Sequence, residues 1–146
     1  MKPRIVVDTN VFTAALIGPK SPNREILRRC LVGRCTPLLS NTLFSEYEEV
    51  STRKSIIERC PVRLEDIRNL LDAFCSVSEW VPIFYLWRPN LADEGDNHVL
   101  ELATAGNAQW IATNNVRDFG NADLRFPEIR IATPERILQE NLKWLP

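Results

Sequence analysis

The chain has 146 residues and a net charge of −1, with 45% apolar and 25% charged residues. These values are typical of ordinary folded domains and exclude disordered and fibrous classes, so we expect one domain over residues 1–146. No apolar run approaches the ~18 residues needed to cross a membrane, and the chain opens without a signal-type segment. We therefore expect a cytoplasmic protein without membrane association.

Cysteine and histidine are too sparse to build a zinc site or a disulfide framework. The chain has four cysteines and one histidine, and no two cysteines have CxxC spacing. We therefore expect four free thiols, mostly buried. The cysteines are Cys30, Cys35, Cys60 and Cys75.

The order of the elements follows from apolar spacing and turn residues. Residues 4–7, RIVV, predict a central strand buried on both faces. After the turn-forming GPKSPN, a helix is expected with Ser21 as its cap, Pro22 in its first turn and Gly33 at its end. Pro82 weakens the third strand, predicted at 79–86, because proline has no backbone N–H to donate. In chain order we predict a strand at 4–7, helices at 10–17 and 22–33, a strand at 35–40, helices at 40–53 and 63–76, a strand at 79–86, a helix at 96–105, strands at 108–113 and 128–133, and a helix at 134–145.

This alternation of strands and helices predicts an α/β fold, a three-layer α/β/α sandwich around a central parallel sheet. In open sheets of this type, the binding crevice lies beyond the carboxyl ends of the strands. Asp8 stands at such an end, and so do the residues after Thr113. The tryptophans are interpreted as core or interface residues: Trp80, Trp87, Trp110 and Trp144.

Acidic side chains from separate segments are expected to meet at this edge of the sheet. Asp8 follows the first strand, and Asp93 and Asp96 bracket the start of a helix. Asn115 and Asp118 follow the fourth strand. Carboxylates held close together repel one another unless a cation compensates. Mg²⁺ and Mn²⁺ prefer oxygen ligands and can activate water to attack a phosphodiester.

Each of these acids also has a purely structural interpretation. Asp93 could be a loop acid, Asp96 a helix cap and Glu46 a solvated helix acid. Asp8 is harder to explain, because an acid directly after a buried strand must be satisfied by turn amides or by a ligand. His98 is interpreted as a helix-surface residue rather than as a ligand or a base.

The chain resembles the PIN-domain family in four segments: VVDTNVF, LFSEYEEV, ADEGDNHVLELATAGNAQWIATNN and RDF. PIN domains are metal-dependent nucleases that mostly cut RNA, and they include the toxin subunits of many prokaryotic toxin–antitoxin pairs. The resemblance covers nearly the whole chain. Its most distinctive part runs from Asp93 to Asp118, with a DxxD acid pair, an Ala-rich helix, a short strand and a TNN turn.

The resemblance implies four catalytic acids, which are Asp8, Glu46, Asp93 and Asp96. It implies that Asp8, Asp93 and Asp96 bind one or two Mg²⁺ or Mn²⁺ ions, and that Glu46 helps to position metal or water. Polar neighbours that would orient these acids or lie near the metal are Thr9, Asn10, Thr113, Asn115 and Asp118.

One departure from the family pattern concerns the fourth acidic position. Many relatives carry an aspartate where this chain has Asn115, and here the acid comes three residues later, at Asp118. The sequence leaves open which residue fills the position and whether one ion or two bind. Basic residues near the first strand are predicted to contact the RNA backbone, namely Lys20, Arg24 and Arg28.

These features predict an endoribonuclease that uses Mg²⁺ or Mn²⁺ to hydrolyse RNA phosphodiester bonds. The resemblance further implies the toxin role of a toxin–antitoxin pair, an antitoxin protein as partner, and a homodimer. The alternative is a catalytically silent PIN-like module that binds RNA or protein. Retention of the four acids favours the enzyme. The RNA target and the cleavage position are left open.

Overall fold

The structure is a computed structural model that describes residues 2–18, 21–83, 97–120 and 126–140. The strands are β1 (Arg4–Val7), β2 (Thr36–Leu39), β3 (Glu79–Trp80), β4 (Trp110–Ala112) and β5 (Arg130–Ala132). The α-helices within these ranges are α1 (Thr9–Ile17), α2 (Pro22–Leu31), α3 (Asn41–Thr52), α4 (Lys54–Ile57), α5 (Leu64–Val77), α6 (Asn97–Ala105) and α7 (Pro134–Glu140). A 3₁₀ turn, Val116–Phe119, follows β4.

The strands form one parallel sheet in the order β3-β2-β1-β4-β5. β1 lies in the centre, and its residues Ile5, Val6 and Val7 have no exposed surface. Val7 is in register with Ala112 of β4, so the carboxyl ends of these two strands lie side by side. The predicted α/β fold is confirmed, with an all-parallel sheet flanked by helices.

Helices attach to the sheet in two ways. α6 packs directly against β1, β2 and β4, and it also contacts α3. The helices α1, α2, α3 and α5 form a second group and pack against one another, in the pairs α1–α2, α1–α3, α2–α5 and α3–α5. Within this group, α5 also contacts β2. α3 therefore connects the helical group to α6, and this connection places residues of both helices beside the carboxyl end of β1.

An aromatic cluster fixes α1, α3 and α5 relative to β1. The rings of Phe12 and Tyr47 stack with centroids 4.6 Å apart, and Phe74 meets Tyr47 edge-on at 5.8 Å. The buried hydroxyl of Tyr47 donates to the carbonyl of Val7, the residue directly before Asp8. Because such aromatic pairs stabilise beyond their buried area, the cluster holds α3 at a fixed height along β1.

The structure differs from the predicted elements mainly in the edge strand β3 and in the short helix α4. The third strand is restricted to Glu79–Trp80, whereas a longer strand was predicted over 79–86, of which residues 84–86 lie outside the described part. Trp80 is 47% exposed in the edge strand β3, so it is not a core residue, and its ring packs against Phe44 with centroids 5.5 Å apart. The other interpretation of Trp80, as an interface residue, stays a prediction. The short helix α4 was not predicted.

The cysteines are free thiols, as predicted, with Cys30 and Cys35 buried and Cys60 and Cys75 partly buried. Cys30 and Cys35 lie together, with their sulfur atoms 3.3 Å apart. In the described ranges, no helix is long and apolar enough to span a membrane.

Candidate active site

Asp8 links the end of β1 to the start of α1. It has an extended backbone, caps α1, and accepts a hydrogen bond through Oδ1 from the Thr9 amide at 2.7 Å. Its own amide donates to the carbonyl of Ala112 at 2.9 Å, so β4 holds it in line with the sheet. Only 5% of its surface is exposed. β1 therefore places a buried carboxylate at the carboxyl end of the sheet.

The second carboxylate oxygen of Asp8 is held by residues of β4 and α1. Oδ2 accepts from the Thr113 hydroxyl at 2.8 Å and from the Asn10 amide group at 3.2 Å. Asn10 also donates to the Thr113 hydroxyl at 3.2 Å and accepts from the Asn114 amide at 3.0 Å. The Asn115 amide donates to the same hydroxyl at 3.1 Å. Two neutral donors, the Thr113 hydroxyl and the Asn10 amide group, thus hold Oδ2, and the amides of Asn114 and Asn115 hold these two side chains in turn.

Burial raises the pKa of Asp8, because a charged carboxylate is poorly solvated in the interior. Hydrogen bonds from Thr113 and Thr9 stabilise the charged form and reduce this rise, but they do not cancel it. The nearby negative charge of Glu46 contributes a further rise. Without a compensating cation, Asp8 is therefore an electrostatically unfavourable group.

Glu46 of α3 lies in the same site and is connected to Asp8 through Thr9. The Thr9 hydroxyl donates to Glu46 Oε1, while the Thr9 amide donates to Asp8. Glu46 Oε2 lies 2.8 Å from His98 Nε2. Burial alone would raise the pKa of Glu46, but hydrogen bonds from His98 and Thr9 outweigh this effect and lower it. Glu46 is thus held as a carboxylate.

His98 was interpreted as a helix-surface residue, and this interpretation is wrong. Its side chain is only 16% exposed, and it contacts Glu46 because α6 packs against α3. Its other ring nitrogen, Nδ1, is buried and has no hydrogen-bond partner among the described residues. A sequence signal did exist, since the one histidine of the chain follows Asp96 by two residues.

Glu101 is a second α6 residue that the sequence analysis missed. It is 5% exposed, and its buried Oε1 atom has no hydrogen-bond partner within the part of the chain that the structure describes. It lies three residues after His98, so both side chains share one side of α6. Its position among the apolar residues VLELA gave no reason to single it out from the sequence.

The remaining predicted site residues fall into three groups. Asn115 is exposed directly after β4, and Asp118 is partly buried in the 3₁₀ turn. Asp93, Asp96 and Lys20 lie outside the described residues. The predicted RNA contacts on α2 have intramolecular partners.

Arg24 and Arg28 both make hydrogen bonds within the chain. Arg24 donates to the carbonyls of Ala15 and Leu16 at 2.8 and 3.3 Å, and so satisfies the carboxyl end of α1. Arg28 pairs with Glu25 on the same helix at 2.6 Å.

The donor set suits a hard divalent cation. Asp8 and Glu46 supply carboxylate oxygens, which Mg²⁺ and Mn²⁺ prefer over nitrogen or sulfur ligands. A buried carboxylate with a raised pKa also gains most from a bound positive charge. The described residues contain no group of three ligating side chains, and the other two predicted acids lie outside them.

A comparison with protein families matches residues 4–117 to a model described as PIN domain. Comparison with curated proteins and with solved structures gave no significant match. The match includes Asp8, Glu46, Thr113 and the DxxD pair of Asp93 and Asp96. Since it spans well over half of the chain and agrees with the parallel sheet, the protein belongs to the PIN-domain family, whose members are generally nucleases.

Proposed function

We propose that this protein is a ribonuclease that hydrolyses RNA phosphodiester bonds with the help of Mg²⁺ or Mn²⁺. The observation that carries the proposal is the meeting of Asp8 and Glu46, which come from different elements and are connected through Thr9. Charged groups that are brought together in this way need a cation to coexist. Membership of a family that typically binds Mg²⁺ or Mn²⁺ supports the same reading.

In this proposal Asp8, Asp93 and Asp96 hold the ion, and Glu46 positions the ion or the attacking water. A bound divalent ion would supply a water of lowered pKa and stabilise the charge that develops on the phosphate. Thr113 and Asn10 hold Asp8 Oδ2, so that Asp8 cannot rotate away from the site. His98 and Thr9 keep the carboxylate of Glu46 ionised and in place.

Cleavage of a fluorescent single-stranded RNA in the presence of Mn²⁺ tests the proposal. We expect cleavage by the wild type, no cleavage after EDTA treatment, and none by Asp8→Asn, which removes charge and keeps shape. Asp72→Asn is the matched control, because Asp72 is an exposed acid on α5 and does not belong to the site. Equal cleavage by Asp8→Asn and the wild type would reject the assignment of Asp8.

The competing function is a silent module that binds RNA or protein without cutting. Retention of Asp8, which is buried, and of Glu46, which is connected to it through Thr9, favours the enzyme. RNA binding by the wild type without cleavage, in both Mg²⁺ and Mn²⁺, would favour the silent module.

We further propose that the enzyme acts as the toxin of a toxin–antitoxin pair, with a homodimer as the active form. This proposal rests on the family alone. Induced expression of the wild type should then arrest growth of the host cell, whereas Asp8→Asn should not. A small neighbouring reading frame whose product relieves the arrest would identify the antitoxin. Light scattering of the purified protein would test the homodimer.

A further inference from the structure

A groove of about 550 Å³ opens beside the candidate active site, between α1 and α3. One wall carries Thr9, Thr13 and Ile17, which are four residues apart and therefore share one face of α1. The other wall follows α3 from Glu46 to its C-cap, Arg53. The groove thus begins at three residues of the site, Thr9, Asn10 and Glu46, and leads away from it.

The chemistry of the groove changes along its length. The end nearest Asp8 is acidic and polar, the middle is lined by apolar side chains such as Ala14 and Val50, and the far end carries the ion pair of Arg53 and Glu49. Between Thr9 and Ile17 the α1 wall extends for about 12 Å, at the usual helical rise. This arrangement suits an RNA nucleotide with a phosphate on each side. One phosphate would lie at the end near Asp8, the base against the apolar middle, and the other phosphate at Arg53.

Arg53 is available to a ligand at small cost. Its guanidinium pairs with the carboxylate of Glu49, one turn back on α3, with Nε 3.0 Å from Oε1. The two side chains are 50% and 58% exposed. Exposed pairs of this kind contribute little to stability, and the guanidinium fork matches a phosphate as well as a carboxylate. A phosphate can therefore take the place of Glu49.

A larger cavity, of about 690 Å³, lies between α2 and α5. Its lining includes neither Asp8 nor Glu46. The groove between α1 and α3 is therefore the better place to look for substrate contacts.

We infer that this groove binds the nucleotide of single-stranded RNA that adjoins the cleaved bond, and that Arg53 binds the phosphate on its far side. The inference rests on the proposed function, because it places the cleaved phosphate at the Asp8 end. Ala14, Ile17 and Val50 contact the base through apolar surface, so they discriminate little between bases. The subsite orients the RNA strand along α1.

Kinetics with a single-stranded RNA oligonucleotide and Mn²⁺ test this inference through two substitutions with opposite effects. Arg53→Gln should raise KM roughly tenfold at unchanged kcat, since it removes a charge-assisted phosphate contact. Glu49→Gln should lower KM, because it frees Arg53 from its competitor. Arg59→Gln is the matched control, since Arg59 is exposed but does not line the groove. Circular dichroism would verify that each variant is folded.

RNA binding gives a second readout that does not need catalysis. Fluorescence anisotropy with an Asp8→Asn background measures affinity against salt concentration, and Arg53→Gln should reduce the slope of log K against log salt by about 0.7 for one lost phosphate contact. An unchanged KM and salt slope in Arg53→Gln would overturn the inference, and so would shifts of KM in the same direction for Arg53→Gln and Glu49→Gln.

The two proposals fail in distinguishable ways. Cleavage by the wild type with no effect of Arg53→Gln removes the subsite and leaves the nuclease assignment in place. Absence of cleavage by the wild type removes the nuclease assignment, while the salt slope still decides whether Arg53 contacts RNA.

Discussion

Replacing Thr113 by valine should destabilise the metal-free protein by about 2 kcal/mol and weaken Mn²⁺ binding at least tenfold. The substitution keeps the shape of the side chain and removes only its hydroxyl. That hydroxyl is fully buried, donates to Asp8 Oδ2 at 2.8 Å, and accepts from the Asn10 side chain and the Asn115 amide. Its loss therefore affects three groups of the candidate site at once.

The magnitude is set mainly by the bond to Asp8. A hydrogen bond to a charged group contributes about 1.5 to 3 kcal/mol. The other two losses are smaller, because the Asn10 amide still donates to Asp8 and Asn115 is exposed to water. For a chain of this length, about 2 kcal/mol corresponds to a fall in Tm of about 8 °C.

Metal binding should weaken because the pKa of Asp8 rises further. Burial already raises this pKa, and the Thr113 hydrogen bond is the largest influence that lowers it. Without that bond Asp8 ionises less readily, and its orientation depends on the Asn10 and Thr9 hydrogen bonds alone among the side-chain contacts of the described residues. Loss of a group that orients a metal ligand typically costs about 10- to 100-fold in affinity or activity.

Urea unfolding in EDTA and calorimetric titration with Mn²⁺ measure the two effects. Thr104→Val is the matched control, since the Thr104 hydroxyl is on the exposed side of α6 and bonds only to the Leu100 carbonyl in its own helix. If Thr113→Val kept both the unfolding midpoint and the Mn²⁺ affinity of the wild type, Asp8 would not depend on Thr113, and the reasoning would be refuted.

Three further predictions concern the charged groups of the site. In EDTA, Asp8 should contribute a loss of stability as pH rises from its unfolded pKa, about 3.9, through its raised folded pKa, since its carboxyl group binds more protons in the native state in that window. The lowered pKa of Glu46 acts in the opposite direction, so the loss is measured as the difference between the wild type and Asp8→Asn. Asp8→Asn should lack this loss, which unfolding midpoints measured against pH would check. Parallel curves for the wild type and Asp8→Asn would show that burial of Asp8 carries no cost. His98→Leu should lower kcat about 10- to 100-fold with little change in KM, and His98→Gln, which keeps an N–H donor for Glu46, should recover part of it. Asp96→Asn should raise the Tm of the metal-free protein by relieving carboxylate repulsion, whereas a lower Tm would identify Asp96 as mainly a helix cap.

The position of Asp8 and its neighbours was predictable because it depends on backbone rules. A β-branched run directly before Asp8 predicts a buried strand, and neighbouring parallel strands end at the same edge. The register of Val7 with Ala112 then brings Asp8 beside Thr113. No side-chain detail is needed for this step.

The contacts made by long side chains were not predictable in the same way. His98 reaches Glu46 only because α6 packs against α3, and sequence spacing within either helix does not contain that information. Nothing in the sequence indicated that the Arg24 guanidinium bonds to the Ala15 and Leu16 carbonyls, a contact that exists because α2 folds back on α1. Helix packing thus decided these contacts.

The geometry of the acids depends on the hydrophobic core through a short chain of contacts. Tyr47 donates to the carbonyl of Val7, which precedes Asp8, while the neighbouring residue on α3, Glu46, bonds to Thr9, which follows Asp8. The stacked rings of Phe12 on α1 and Tyr47 on α3 hold these two helices together. A shift of α3 along β1 would therefore break the bonds at Val7 and Thr9 together. Because packed cores resist such small shifts, the core holds Asp8 and Glu46 in one arrangement before any cation binds.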